Sequence, residues 1–389
     1  MKVGNDQRRL ILSCGLKYGI DSSGEAHFDA DLLRRPANLR REEEIVNYSD
    51  DCFAHNHTRV RSPTVREGCF RRTEPLLTRG LLKHHSGVAT TDGIEIGNQI
   101  ESPEQPEKRP SLIVASYNIR YAVGRRLISS GLMRRVGYNF PQPRAEAVSR
   151  NIQTARHAFS DSLLLPAPDI LALQEADKET ARAGGQHVAA RLAEELGVSY
   201  VHVSVRIPRG VEPQQREWWL NFEEQIALHD PGDTGVALLS RLPFEEITRI
   251  DLPWHDCAWR PRLAMGVTIH LGDESLRLFN AHIDPHGPID NQYQQIEKVL
   301  EHASRHEGPV VILGDFNTLS KQKAIGIRRL METHGYATPF PTGTATWRGA
   351  GLRFHADWIF VRGVRITRWG VAKPLNVSDH WPIWAEVAL

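Results

Sequence analysis

The sequence predicts a mixed α/β fold over residues 110–389. Short apolar runs that are typical of buried strands recur throughout this region. Some of these runs follow one another directly, and others are separated by segments in which apolar residues recur with helical spacing. Parallel strands need a long crossover connection, whereas antiparallel strands need only a turn. Both kinds of connection occur here, so the pattern indicates mixed sheets rather than one parallel sheet.

The individual elements follow from local patterns. SLIVASY, DILALQ and VVILG are apolar runs of strand length, and Val188, Leu192 and Leu196 form one stripe of an amphipathic helix. Residues 200–207 alternate as a half-exposed strand does. The predicted strands are 111–117, 169–174, 200–207, 235–240, 262–271, 275–283, 310–314, 355–363, 364–370 and 381–389. The predicted helices are 144–159, 186–196, 289–305 and 321–334.

Residues 1–109 have a different character. Their apolar residues occur in brief bursts without a sustained period, and the region closes with ESPEQPEKRP. Proline-rich linkers favour extended backbone and resist helix formation. We therefore predict a poorly ordered or at best locally helical N-terminal arm at 1–109 and a folded domain at 110–389. A chain that starts near Pro110 is expected to keep full function.

Composition narrows the class of protein. The 48 basic and 47 acidic residues give a net charge of +1, so no global field attracts a polyanion. Four scattered cysteines do not form a disulfide framework and are typical of a reducing compartment. The N-terminal apolar core is shorter than a secretory signal, and no stretch reaches the roughly 18 apolar residues of a membrane span. These features predict a cytoplasmic protein without a transmembrane segment.

Polar residues collect where the predicted strands end. They are Asn118, Glu175, His282, Asp284, Asp315, Asn317, Asp357, Asp379 and His380. A carboxylate that follows a buried apolar run is costly unless a cation or hydrogen-bond donors accompany it. Loops at strand ends can gather such side chains into one cleft, and we expect them to do so here.

These residue types suit the hydrolysis of a phosphate ester. Mg²⁺ prefers oxygen ligands and takes only one or two carboxylates, and it then acts as a Lewis acid towards phosphate. Histidines supply hydrogen-bond donors or a base, because their pKa lies near neutrality. An aspartate beside such a histidine fixes its tautomer and stabilises its charged form.

Four segments in this order resemble the endonuclease/exonuclease/phosphatase superfamily: an LQE-like segment, N-x-H-x-D, GDFN and SDH before a proline. The superfamily includes apurinic endonucleases, deoxyribonuclease I, neutral sphingomyelinases and inositol-polyphosphate 5-phosphatases. The resemblance covers about residues 110–389. It implies a four-layer sandwich of two packed mixed β-sheets flanked by helices. It also implies dependence on Mg²⁺, for which Mn²⁺ can substitute.

The resemblance also implies roles for the strand-end residues. Glu175 matches the main metal-binding glutamate, Asn118 the asparagine that helps to hold the metal, and Asp379 the aspartate on the metal side. His282 matches the histidine that contacts the scissile phosphate. Asn317, two residues after Asp315 in GDFN, matches a residue that binds the phosphate.

Three further matches concern proton transfer. Asp315 matches the aspartate that orients or deprotonates water, His380 the catalytic histidine, and Asp357 the partner that orients it. Both Asp315 and His380 stay candidates for the general base, and the number of metal ions stays open.

Four other residues are weaker candidates for contacts with the substrate. Asp284 follows the histidine of N-x-H-x-D, Arg260 and Arg262 precede a strand, and Trp218 lies in a segment between strands. Solvent exposure of the arginines and packing of the tryptophan over a sheet edge are the structural alternatives.

The substrate class stays open between three possibilities. Near-neutral charge and the absence of lysine clusters favour a phosphoesterase that acts, as a monomer, on a small-molecule or lipid phosphate. A DNA or RNA nuclease is the alternative, with arginines of 121–143 in its groove and strong salt dependence. A non-catalytic binding module is the third, and the intact set of polar residues counts against it.

Overall fold

A computed structural model of the chain describes residues 18–20, 26–28, 88–89, 92–97, 111–124, 144–208, 225–227, 229–255, 260–272, 274–349 and 351–389. The chain divides into two units, Met1–Thr78 and Arg79–Leu389. In the first unit, strand β1 (Tyr18–Ile20) pairs antiparallel with β2 (Ala26–Phe28). The predicted disorder of the arm concerns residues that lie, for the most part, outside the described ranges.

The second unit contains the remaining strands and helices. The strands are β3 (Val88–Ala89), β4 (Ile94–Gly97), β5 (Leu112–Asn118), β6 (Ile170–Gln174), β7 (Ser199–Ser204), β8 (Gly235–Ser240), β9 (Phe244–Asp251), β10 (Leu263–Leu271), β11 (Glu274–His282), β12 (Val310–Asp315), β13 (Trp347–Gly349), β14 (Leu352–Phe354), β15 (Asp357–Arg362), β16 (Arg365–Val371) and β17 (Ile383–Ala388). The α-helices within the described ranges are α1 (Arg144–Ser160), α2 (Val188–Leu196), α3 (Ile289–Ser304) and α4 (Lys321–Thr333).

Two mixed sheets organise this unit. The larger one has eight strands in the order β16-β17-β5-β6-β8-β7-β4-β3, and the smaller one has five in the order β15-β12-β11-β10-β9. Each sheet contains one parallel pair, β5 with β6 and β11 with β12, and its other pairs are antiparallel. β13 and β14 form a separate hairpin.

Three apolar clusters separate four layers. The first joins α1 and α2 to the outer face of the eight-stranded sheet, and it includes Phe159 and Leu192. The second lies between the two sheets, and the third joins the five-stranded sheet to α3 and α4. Alternate residues of each central strand face opposite clusters, which explains why these strands read as continuous apolar runs. The four-layer sandwich expected from the resemblance is confirmed.

Several local features differ from the sequence-based expectations, including the unpredicted hairpin of β13 and β14. β9 was not predicted, because it is an exposed edge strand with adjacent glutamates, a residue type that is depleted in strands. β7 is buried on both faces rather than half-exposed, because Tyr200 packs into the cluster below the helices, and Val201 and Val203 pack into the cluster between the sheets. β4 precedes the expected start of the domain at 110, yet it pairs with β7 in the larger sheet.

Candidate active site

One open cleft of about 480 Å³ collects most of the predicted polar residues. Its lining residues are Asn118, Arg120, Glu175, Arg262, His282, Pro285, His286, Asp315, Asn317, Leu319, Trp347, Asp379 and His380. Seven of the strand-end residues named from the sequence therefore meet at one place, although they are far apart along the chain.

Strand register explains how they meet. In the smaller sheet His282 lies opposite Asp315, which in turn lies opposite Asp357 on the antiparallel neighbour. In the larger sheet Asn118 ends β5 beside Gln174, the last residue of β6, and Glu175 follows directly. Because the carboxyl ends of both parallel pairs reach the same side of the sandwich, the polar ends of two sheets share one cleft.

A buried amide network joins the two sheets beneath this cleft. The Gln174 side chain donates to Asn280 Oδ1 at 2.7 Å and to Ser116 Oγ at 3.1 Å. Asn280 Nδ2 donates to the carbonyl oxygens of Leu173 and Ala237, each at 2.9 Å. Gln174 and Asn280 are fully buried, so these bonds form where water does not compete. They fix the spacing between the strand ends that carry Glu175 and His282.

His380 is held as a charged donor. Its Nδ1 donates to Asp357 Oδ2 at 2.9 Å, and its Nε2 lies 3.7 Å from Asp315 Oδ2. Burial opposes protonation of the ring, but the carboxylates of Asp357 and Asp315 outweigh it and raise the pKa of His380 to about 10. Asp357 is fully buried behind the ring, and it orients the histidine without lining the cleft.

Asp315 lies at the centre of the cleft. Its Oδ2 accepts a hydrogen bond from Asn118 Nδ2 at 2.9 Å, and its Oδ1 accepts one from the backbone of Asn317 at 2.9 Å. His282 Nε2 lies 3.7 Å from the same Oδ2. Burial raises the pKa of Asp315 to about 7, and Asp357 adds to the rise against the opposing charge of His380. A carboxylate with this pKa can accept a proton near neutral pH.

Two arginines flank His282 and Glu175. Arg262 Nη1 lies 2.9 Å from His282 Nε2, and Arg260 Nη2 lies 3.9 Å from Glu175 Oε1. A guanidinium has only donors, so the contact with Arg262 uses an unprotonated nitrogen of the His282 ring. Both arginines are almost fully buried, at 1% and 2% exposure; Arg262 lines the cleft, whereas Arg260 lies behind it, beside Glu175.

Asp379 is engaged by three donors. Its Oδ2 accepts from Trp347 Nε1 at 3.0 Å and lies 3.3 Å from Arg120 Nη1, and its Oδ1 accepts from Ser378 Oγ at 3.2 Å. The backbone of the same loop is held by β13, since Arg348 N donates to Asp379 O at 2.9 Å. This aspartate lines the same cleft as Glu175 and Asn118, and the charges of Asp379 and Glu175 both raise the pKa of Arg120 against the effect of burial.

Left-handed backbone positions several of these groups. Glu175 and Asn317 each have a φ of 51°, and Arg120 has a φ of 48°. For a residue with a side chain this conformation costs about 1–2 kcal/mol. Hydrogen bonds offset the cost, for example from Tyr121 N to Glu175 O at 2.9 Å and from Asn317 Nδ2 to Ile283 O at 2.8 Å. Strain that is retained at neighbouring positions of one cleft is typical of a functional site.

The oxygen atoms of this cleft fit a divalent cation. Glu175 and Asp379 supply carboxylates and Asn118 an amide oxygen, which is the type of donor set that Mg²⁺ takes. Asp315, Asp357 and His380 also place one possible ligand atom each within 4.8 Å of one another. The hydrogen bond between His380 and Asp357 accounts for that proximity, so the donor set around Glu175 is the better candidate.

The remaining weaker candidates have separate outcomes. Asp284 is buried beside the cleft, where its Oδ1 accepts from His286 N at 3.0 Å. Trp218 and the arginines of 125–143 lie outside the described residues.

Sequence reasoning missed Arg120 and Trp347, both of which contact Asp379. Arg120 follows Asn118 by two residues in SYNIR and offered a signal, whereas nothing near Trp347 did.

Comparisons with known proteins identify the family of this chain. The model of the Endonuclease/Exonuclease/phosphatase family matches residues 115–380. A UPF0294 protein of Yersinia enterocolitica is 30% identical over 135 residues, which are 34% of this chain and 45% of that protein. The chain thus spans less than half the length of the curated relative that it matches.

No helix in the described part of the chain combines the length and hydropathy that a membrane crossing requires.

Solved structures also align with most of this chain. An endonuclease/exonuclease/phosphatase from Beutenbergia cavernae aligns with a TM-score of 0.50 and 19% identity, over 72% of each chain. The catalytic domain of human Nocturnin with bound sulfate aligns with a TM-score of 0.46 and 16% identity, over 72% of this chain and 95% of that one. The family match extends from the first central strand to His380, and the chain belongs to the endonuclease/exonuclease/phosphatase family, which includes metal-dependent phosphoesterases and nucleases.

Proposed function

We propose that this protein is a divalent-metal-dependent phosphoesterase that hydrolyses a phosphate ester by in-line attack of an activated water. The observation that carries the proposal is the convergence of seven strand-end residues on one cleft. They provide oxygen ligands, a carboxylate with a pKa near neutrality and a protonated histidine, which are the separate parts that the reaction needs.

The two central groups receive distinct roles. Asp315 accepts the proton of the attacking water, because its pKa of about 7 leaves a large fraction of it ionised at neutral pH. His380, with a pKa of about 10, is already protonated there and donates a hydrogen bond to the phosphate. Its charge is maintained by Asp357, which lies on the side of the ring away from the cleft. This assignment favours Asp315 over His380 as the base.

In this proposal, different residues of the cleft would bind the phosphate and the cation. His282 and Asn317 bind the phosphate oxygens, with Arg262 beside His282. Glu175 and Asn118 would hold Mg²⁺ or Mn²⁺, and Asp379 would assist less directly, since protein donors already engage its oxygens. The bound ion supplies Lewis-acid neutralisation of charge on the phosphate.

A small-molecule or lipid phosphate remains the proposed substrate class. The basic and acidic residues of the chain balance almost completely, with a net charge of +1. The buried arginines at the cleft are matched by carboxylates within it, so they form a local phosphate site rather than an extended basic track. A nucleic-acid substrate is the alternative, and its binding would weaken steeply with salt.

The proposal is tested with p-nitrophenyl phosphate and bis-p-nitrophenyl phosphate in the presence of Mg²⁺ or Mn²⁺. We expect turnover that EDTA abolishes, and a loss of about 10²–10⁴ in rate for Asp315→Asn, since that is the usual contribution of a general base. Glu194→Ala on the exposed face of α2 is the matched control and should leave the rate unchanged.

Two results would reject this reading. Turnover that persists in EDTA excludes the metal, and an unchanged rate in Glu175→Ala excludes the assigned cation site. A panel of lipid phosphates, inositol phosphates, plasmid DNA and RNA then separates the substrate classes. Efficient cleavage of plain or abasic DNA at 0.15 M salt would make the nuclease alternative correct.

A further inference from the structure

Glu175 carries a positive partner within the protein. Arg260 Nη2 lies 3.9 Å from Glu175 Oε1, and the two side chains are 1% and 10% exposed. Screening by solvent is weak at such exposure, so the attraction is stronger than in a surface ion pair. The carboxylate proposed to hold a divalent cation is therefore already balanced by a buried guanidinium.

A second carboxylate of the same cleft has a similar partner. Arg120 Nη1 lies 3.3 Å from Asp379 Oδ2, with side-chain exposures of 4% and 9%. Burial opposes the charge of Arg120, but the carboxylates of Asp379 and Glu175 both raise its pKa. This arginine is therefore stabilised by both carboxylates. Two of the carboxylates in the proposed cation site thus have arginine counter-ions among the described residues.

A cation that binds Glu175 must share that carboxylate with Arg260. Two positive groups on one buried carboxylate repel each other, and a buried guanidinium whose counter-ion is withdrawn is costly. A phosphate group removes this conflict, because it offers the guanidinium two oxygens in a bidentate geometry. Arg262, two residues further along the chain, already lies against His282 on the phosphate side of the cleft.

We propose that Arg260 is a built-in counter-ion of Glu175 that transfers to the phosphate group of the substrate when a divalent cation takes the carboxylate. Cation and phosphate then bind cooperatively, and each raises the affinity of the other by the same factor. The inference rests on the proposed function, since it concerns the same site. It assigns to Arg260 a direct contact with a phosphate group in the substrate complex.

The test measures Mn²⁺ binding to the full chain by electron paramagnetic resonance of the free ion, without turnover. Methylphosphonate serves as a phosphate stand-in that the enzyme does not hydrolyse. We expect the affinity of the wild type for Mn²⁺ to rise about 10-fold with saturating methylphosphonate, within the usual range of coupling between sites. Arg260→Gln should bind Mn²⁺ more tightly than the wild type without methylphosphonate, and should lose the 10-fold enhancement.

Three further variants sharpen the result. Arg191→Gln, on the exposed face of α2, should behave as the wild type does. Arg260→Lys keeps the charge but not the planar fork, so Mn²⁺ alone should bind as in the wild type, with an enhancement several-fold smaller. If Arg260→Gln does not fold, as judged by circular dichroism, Arg260→Lys decides the matter. A wild-type enhancement in Arg260→Lys would then overturn the inference.

Failure of the inference is distinguishable from failure of the proposed function. If Glu175→Gln binds Mn²⁺ as the wild type does, the cation site itself is wrong. If Glu175→Gln loses Mn²⁺ while Arg260→Gln shows unchanged or weaker affinity, the cation site stands and the role of Arg260 is wrong. A wild-type affinity for Mn²⁺ that is independent of methylphosphonate also overturns the cooperativity.

Discussion

His380 Nε2 lies 3.7 Å from Asp315 Oδ2, and the surroundings of each residue shift its pKa. The shifts suit His380 to donate a hydrogen bond and Asp315 to accept a proton. Both are buried, and burial alone disfavours the charged form of each. His380 overcomes this penalty because two carboxylates face its ring, whereas Asp315 has another carboxylate nearby and a pKa near 7. In the proposed mechanism, these different surroundings distinguish the hydrogen-bond donor, His380, from the base, Asp315.

This separation predicts how His380 titrates. In the protein without metal, its ring should hold a proton up to a pH of about 10, as measured by NMR of the imidazole. Asp357→Asn removes the nearest carboxylate and should lower the pKa. Since the unfolded value is about 6.5, protonation of His380 contributes stability that is fully present below that pH. This contribution is lost as the pH rises through about 10.

A His380 pKa that is unchanged in Asp357→Asn would contradict the assignment of Asp357 as its partner. Activity should also decline in Asp357→Asn at a lower pH than in the wild type, since the donor to the phosphate loses its proton earlier.

The sequence indicated which residues form the cleft, but it did not indicate which side chains they contact. Glu175, Asp315 and His380 were named because each ends or precedes an apolar run, and the fold does bring them together. Trp347 was not named, because a tryptophan in a short hairpin has no pattern that points to Asp379. Partners separated by 32 residues, such as these two, depend on tertiary packing that no local window contains.

At the scale of elements, helix α3 holds two catalytic loops through glutamines on its buried face. Gln292 Nε2 donates to Asp284 O at 2.9 Å and to Asn317 O at 3.1 Å. Gln295, one turn later, accepts from Asp284 N at 2.8 Å and donates to Pro253 O at 2.8 Å. Polar residues in an otherwise apolar helical stripe were a signal that the sequence contained.

Gln292→Leu should therefore impair catalysis. It keeps a similar volume but leaves two buried carbonyl oxygens without their donor, at a cost of about 1–3 kcal/mol for each group. We expect a lower melting temperature and a fall in kcat, because Asn317 and the loop after β11 lose their shared anchor. Gln294→Leu, on the exposed face of the same helix, is the control. Equal kinetics for the two variants would exclude a positioning role for Gln292.

The parallel pairing of β11 and β12 depends on one glycine. A Cβ added at Gly314 would lie 2.0 Å from Ala281 O, and the φ of 142° is itself unfavourable for a side chain. Gly314→Ala should push apart the strands that carry His282 and Asp315, and should destabilise the fold by several kcal/mol. Gly335→Ala, where a Cβ meets nothing within 4 Å, should cost only about 1–2 kcal/mol for its left-handed backbone. Chemical denaturation measures both, and equal losses would contradict the close approach.

Among the elements, the central strands and two edge strands, β15 and β16, were predictable, whereas β4 and β9 were not. β6 and β12 are buried on both faces, so continuous apolar runs identified them. β9 and β4 lie towards the sheet edges and carry glutamates, which removes the apolar signal. Glu95 of β4 is nevertheless buried, because Tyr200 of β7 and Lys178 of the loop after β6 donate hydrogen bonds to its carboxylate.

At the scale of the whole molecule, β4 connects the N-terminal part of the domain to the active site. Glu95 accepts a hydrogen bond from Tyr200 at 2.8 Å and forms an ion pair with Lys178 at 2.5 Å. Lys178 lies three residues after Glu175, and His202 of the neighbouring strand bonds Ala176 O at 2.7 Å. The segment that carries Glu175 is therefore supported by residues that pack against β4.

A truncation series tests this connection. A chain that starts at Arg79 keeps β4 and should retain wild-type activity and melting temperature, whereas a chain that starts at Pro110 should lose stability. Without β4, Lys178 loses its counter-ion and β7 loses its partner strand. The sequence alone favoured full function for the shorter chain, so the two expectations differ clearly. Circular dichroism melts and phosphoesterase rates decide between them, and wild-type behaviour of the chain from Pro110 would show that β4 is dispensable.

Glu95→Gln in the full chain separates the contribution of the ion pair from that of the strand. The substitution should lower the stability of the fold at pH 7. Its effect should be smaller below about pH 4, because the unfolded chain then binds a proton at Glu95.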